Sequence, residues 1–125
     1  MKTKAAERVK DNPQDLSEFR GTDNYYKNAY MLGMVYTDGV KHMAETRDAY
    51  WLIQYVYAKA NYIKALKGEP FLTIEMSVAD SSATIAITDG NDNILHTDEI
   101  EYTDYPDDGV CLWLVDGVLL LPSEY

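Results

Sequence analysis

Lysine and arginine are absent from everything after Lys67. All 11 basic residues lie between Lys2 and Lys67, alongside eight of the 21 acids; residues 68–125 hold the other 13 acids and no base. The formal net charge of −10 therefore divides into +3 and −13. A chain of this kind does not hold nucleic acid, or an anionic membrane, through a general field. Cysteine is almost missing as well: Cys111 stands alone, which excludes an intrachain disulfide and agrees with a cytoplasmic setting. Long apolar runs are lacking. "VCLWLV" is the longest and is ended by Asp116 and Gly117, where a membrane span needs ~20 apolar residues. The opening "MKTKAAERVKDN" has no apolar segment of the kind a secretory signal carries.

Catalytic signatures are absent too. There is no G-x-S-x-G elbow and no glycine-rich phosphate loop. His42 and His96 are the only histidines, and nothing ties either to a serine or to Cys111, whose burial in an apolar strand would leave its thiol inert. "DGNDN" starts like a calcium loop, but Ile94 and Ile100 stand where glycine and glutamate are required, so it reads as a hairpin turn. Asp107 and Asp108 sit between Pro106 and Gly109, a loop setting. They would act as an acid–base pair only in a pocket that shifts one pKa. The expectation is a protein without catalysis and without a cofactor.

What is present is a globular composition. Hydrophobic residues make up 46% and aromatics 12% of 125 residues, enough for one core. Eleven aromatics are tyrosines, which suit half-buried positions and binding surfaces. Residues 1–12 are basic and lack an apolar stripe, predicting a flexible arm before a single domain over 13–125. "PQDLSEF" predicts a short helix, and Thr22 or Asp23 would cap another helical piece through "NYYKNAY". "YMLGMVY" reads as a strand or a buried connector. Asp38 suits the N-cap of a helix over 39–46, and Asp48 that of the main helix over 49–67, whose Ala49, Leu52, Ile53, Val56, Ala60 and Ile63 form one apolar stripe. After Pro70 the period becomes two. "FLTIEMSV", "ATIAIT", "ILHTDEIEY", "VCLWLV" and "VLLL" predict an antiparallel sheet of four to five strands. The fold class is α+β, with that sheet packed on the main helix and short helices before it.

On such a sheet the outer face would carry Thr73, Glu75, Ser77, Thr84, Thr88, Thr97, Glu99 and Glu101, and the following loop adds Asp104, Asp107 and Asp108. Mixed charges solubilise well, so excluding every base from this half exceeds what solubility asks. It points to a basic surface on a partner protein or complex, approached by electrostatic steering. The partner-binding candidates are Glu75, Glu99, Glu101, Asp104, Asp107 and Asp108. Two other readings compete with a purely solvating face. Asp38, His42 and Glu45 stack on one side of a helix and could hold a divalent metal, as a binding site or a metal-assisted enzyme. "VCLWLV" could instead serve self-association into a homo-oligomer.

Three stretches also act as motifs: "YTDGVKHMAE" (36–45) with "AYWL" (49–52) close behind, "IEYTDYP" (100–106), and "GVLLLPSEY" (117–125). Together they resemble an uncharacterised family of short bacterial, plasmid and phage proteins, a domain of unknown function. The resemblance spans the chain from about Leu16 and leaves 1–12 outside. It implies a stand-alone small domain of mobile-element origin, for which a host defence or nucleic-acid-processing complex is the expected kind of partner. It supplies no activity, so no catalytic residue carries over.

Overall fold

The computed structural model describes residues 12–106 and 108–125. Along them run α1 (Gln14–Ser17), β1 (Tyr25–Tyr26), β2 (Val35–Thr37), α2 (Asp38–Thr46), α3 (Tyr50–Tyr62), β3 (Phe71–Ala79), β4 (Ser82–Thr88), β5 (Ile94–Ile100), β6 (Val110–Val115), β7 (Val118–Leu120) and a closing 3₁₀ turn (Pro122–Glu124). Among the described residues the strands form one seven-stranded sheet in the order β1-β2-β7-β6-β3-β4-β5. Every pairing is antiparallel except β2 with β7, which is parallel.

The α+β class holds, but the purely antiparallel sheet of four to five strands is an undercount. The period-two half supplies β3 to β7 as read. The missing pair comes from the N-terminal half: "YMLGMVY" ends in β2, and "NYYKNAY" contains β1 rather than a helical piece. Such short strands carry no periodicity of their own, and tertiary pairing alone holds them. Hairpin chemistry is explicit at two turns. Asp80 and Ser81 (φ +53° and +64°) join β3 to β4, and Asp116 and Gly117 (φ +50° and +85°) join β6 to β7. Positive φ at both turn residues matches the right-handed twist of paired strands.

One face of the sheet is apolar and meets the helices. Ile74, Met76, Ile85, Ile87, Leu112 and Leu119 are buried there with Val40, Met43, Leu52, Ile53 and Val56. The stripe predicted for the main helix is correct in Ala49, Leu52, Ile53 and Val56, while Ala60 and Ile63 are half-buried at its end. The helix stops at Tyr62, short of Lys67, and a turn over 63–67 carries Leu66 into the core. The caps differ from expectation. Ala49, not Asp48, is the N-cap of α3, and Thr37 rather than Asp38 caps α2, its Oγ1 accepting from the Val40 amide.

The other face is not the open acidic surface that alternation suggested. Thr73, Glu75, Ser77 and Thr88 are all buried on it. Phe71 and Trp113 meet edge to face across the same side, and the turn at Gly90 lies against the Phe71 ring so closely that a side chain at 90 would collide with it. Large aromatics and a folded-back turn thus wall in the small polar residues between them. The apolar β6, read as a candidate self-association surface, is an interior strand paired on both sides, with Val110, Cys111, Leu112 and Leu114 buried.

Of the segment set apart as an arm, residues 1–11 lie outside the described residues. Asn12 is tied down: its side-chain amide donates to the Cys111 carbonyl (2.9 Å) and its Oδ1 accepts from the Cys111 amide (2.8 Å). It satisfies a peptide of β6 beyond the point where β7 ends.

Candidate functional site

The partner-binding candidates separate. Glu75 lies mid-sheet opposite Ala86 and Cys111, 7% exposed, with its Oε2 accepting from Thr73. Its strand is central and the side chain is largely covered, lining a small recess between Trp113 and the turn at Gly90. Glu99, Glu101 and Asp104 are exposed. They follow one another along β5, the terminal strand of the sheet, and into the loop behind it. Asp104 accepts from the Tyr102 hydroxyl (2.7 Å). Asp108 is exposed but already faces Arg47 at 3.6 Å. Asp107 lies outside the described residues.

The metal trio is not assembled. Asp38 accepts from the amides of Asp23 (2.9 Å) and Asn24 (3.2 Å), from the Asn24 side chain and from the Tyr26 hydroxyl (2.7 Å). These bonds, the Tyr26 hydroxyl foremost, pull its pKa down to about 2. His42 lies 3.3 Å from Asp15, and Glu45 pairs with Lys41 at 2.9 Å. No group of three or more His, Cys, Asp or Glu among the described residues is placed to hold a metal ion.

Three polar hubs were not legible in the sequence. Glu124 is the first. It accepts from the Thr37 hydroxyl (2.6 Å), the Gly39 amide (2.9 Å) and the Leu121 amide (2.9 Å), so the terminal "PSEY" serves as a second cap for α2. Arg47 is the second: its two Nη atoms reach the two Asp15 oxygens at 3.0 Å each, clamping α1 to the end of α2. That paired bond holds the Asp15 pKa down at about 2. Asp98 is the third. On the helix-facing side of β5 it accepts from Tyr55 (2.6 Å) and lies 3.0 Å from His96 and 3.4 Å from Lys59. Burial opposes its ionisation, but the bonds from Tyr55 and His96 and the Lys59 charge outweigh it and lower its pKa. Burial and that same bond raise the pKa of Tyr55.

A cleft of about 330 Å³ opens beside the acidic loop. Asp48 and Trp51 line it from the start of α3, and Ile100, Tyr102, Thr103, Asp104 and Tyr105 from the end of β5. The "AYWL" and "IEYTDYP" stretches, far apart in sequence, thus share one concavity. Asp48 holds a left-handed backbone (φ +52°), which aspartate tolerates better than most residues. Thr103 fixes the loop: its amide donates to the Ser81 carbonyl (2.8 Å) and its hydroxyl accepts from the Tyr105 amide (3.1 Å). Tyr105 is 3% exposed, and its hydroxyl is buried without a hydrogen-bond partner among the described residues, as is Arg47 Nε. Burial pushes the Tyr105 pKa up. A second recess, of about 180 Å³, lies on the opposite face between Trp113 and the turn at Gly90.

The profile of a family of unknown function (DUF6876) matches residues 10–125. The chain belongs to that family. The match begins inside the segment read as an arm and covers every hub described above. No curated protein and no solved structure matches the chain. Family membership brings no activity with it, so the geometry alone must carry any functional reading.

Proposed function

We propose that this member of the family is a non-catalytic interaction protein of mobile-element origin that binds a basic surface of another protein. The carrying observation is the row Glu99, Glu101 and Asp104. These carboxylates are exposed at the free edge of the sheet, and no ion pair reaches them among the described residues. Lys59 and Arg47 are engaged elsewhere, Lys59 with Asp98 and Arg47 with Asp15 and Asp108. Like charges gathered along one edge repel one another. A complementary surface would relieve that repulsion and accelerate encounter.

The test is retention of basic proteins from host lysate on the immobilised protein at low and raised salt. The reading expects a basic protein that elutes with salt and is no longer retained by a Glu99→Lys/Glu101→Lys variant with unchanged thermal unfolding. Equal retention by the variant at low salt would sink it.

A further inference from the structure

The cleft beside the acidic loop has the chemistry of a socket for a single cationic side chain. Its lining combines two carboxylates, Asp48 and Asp104, with three aromatic rings, Trp51, Tyr102 and Tyr105. Among the described residues no donor reaches the Asp48 carboxylate. Asp104 uses Oδ1 for the Tyr102 hydroxyl and keeps Oδ2. Tyr102 is 70% exposed although its ring is large and apolar, and Trp51 is half-buried. Tyr105 adds a buried ring to the wall.

Each feature favours a planar cation over a neutral or anionic guest. Two carboxylates exclude phosphate and carboxylate ligands by charge. Aromatic faces attract a cation through their quadrupole, and a guanidinium can stack on them while donating in its own plane to carboxylate oxygens. The volume lies at the low end of ligand clefts, which run from roughly 300 to 1,000 Å³, and so suits a side chain rather than a cofactor. Arg47, the nearest internal guanidinium, is bound to Asp15 and faces Asp108, so its charge is matched outside the cleft.

We propose that this cleft receives one arginine side chain of the partner protein, with Asp48 and Asp104 as its carboxylate acceptors and Trp51 and Tyr102 as its stacking walls. It would be the anchor within the wider acidic surface, in the way that a few buried contacts carry most of an interface's energy. The inference rests on the basic-partner reading and sharpens it to one residue type.

The experiment is a titration of the full chain, ¹⁵N-labelled, with a blocked Gly-Arg-Gly peptide, followed by amide and indole resonances. Blocked peptides with lysine or with citrulline, the neutral isostere, replace it in parallel. The expected result is a saturable shift of the Trp51 indole and of residues 102–105 with the arginine peptide. The lysine peptide should bind roughly threefold to fivefold more weakly, and the citrulline peptide should leave the spectrum unchanged. Asp48→Asn and Asp104→Asn preserve the turn and the Tyr102 bond, so both should stay folded. Each should weaken binding about threefold to fivefold. No saturable shift in the cleft would overturn the proposal. So would equal shifts by the arginine and lysine peptides spread along Glu99 and Glu101 and erased by salt, but that pattern would leave the acidic-edge reading standing. Cleft binding together with a lysate result indifferent to Glu99→Lys/Glu101→Lys would overturn the wider surface and keep the socket.

Discussion

Gly39 has no room for a side chain. A Cβ there would lie 2.7 Å from Leu121 Cδ1 and 2.8 Å from the Glu124 carboxylate, because the chain's last turn seats directly on the start of α2. Gly39→Ala should therefore lower stability by about 1–3 kcal/mol through overpacking, although alanine favours a helix by ~1 kcal/mol. Glu124→Ala should lower it by about 1–2 kcal/mol through loss of the cap. The double variant should lose less than the sum, since removing the carboxylate makes room at 39. Urea unfolding of all four proteins checks the cycle; strict additivity would mean that the two residues do not share a site. Both motifs were visible in the sequence, but their meeting was not. Asp38 was a reasonable cap by residue type, yet Thr37 and Glu124 hold that role. Asp38 instead gathers the loop from Thr22 to Tyr26, and a carboxylate's choice among nearby donors is settled by tertiary approach.

At the scale of an element, β5 shows how one strand serves two neighbours. Its outward positions present Glu99 to solvent, while Asp98 turns toward α3 and collects Tyr55, Lys59 and His96. Tyr55→Phe should cost about 1–2 kcal/mol and loosen α3 from the sheet edge. Hydrogen exchange should then accelerate in β5 and α3 and stay unchanged in β6. Alternation placed the faces of this strand correctly, yet it could not tell that the inward aspartate was a fastening. In β3 it placed Thr73, Glu75 and Ser77 on the correct face and misjudged their exposure. Periodicity reports direction only, and the covering comes from Phe71, Trp113 and the turn at Gly90, which lie on other segments or at the strand's end. The exposed acids along β5 also guard the open edge against strand addition by another chain.

The whole molecule should be sensitive to acid. Asp15 and Asp38 titrate near 2 in the fold, below the 3.8 of an unstructured aspartate. The folded state then binds fewer protons than the unfolded one, so the stabilisation is complete above about pH 4 and declines as pH falls toward 2. Urea midpoints measured from pH 5 down to 2 should drop steadily, and Asp15→Asn should start lower and fall less steeply. A parallel pair of curves would show that the Arg47–Asp15 clamp does not contribute. The α+β class, the C-terminal strands and the charge division were readable from the sequence. The mixed sheet was not, because its parallel contact joins segments at opposite ends. That contact also imposes an order on synthesis. β2 has only the two residues of β1 beside it until β7, far downstream in the chain, exists to receive it. Strands β3 to β6 can pair as they emerge, but β2 must wait until Val118–Leu120 is delivered. Nascent chains stalled before that point would be the form most in need of a chaperone.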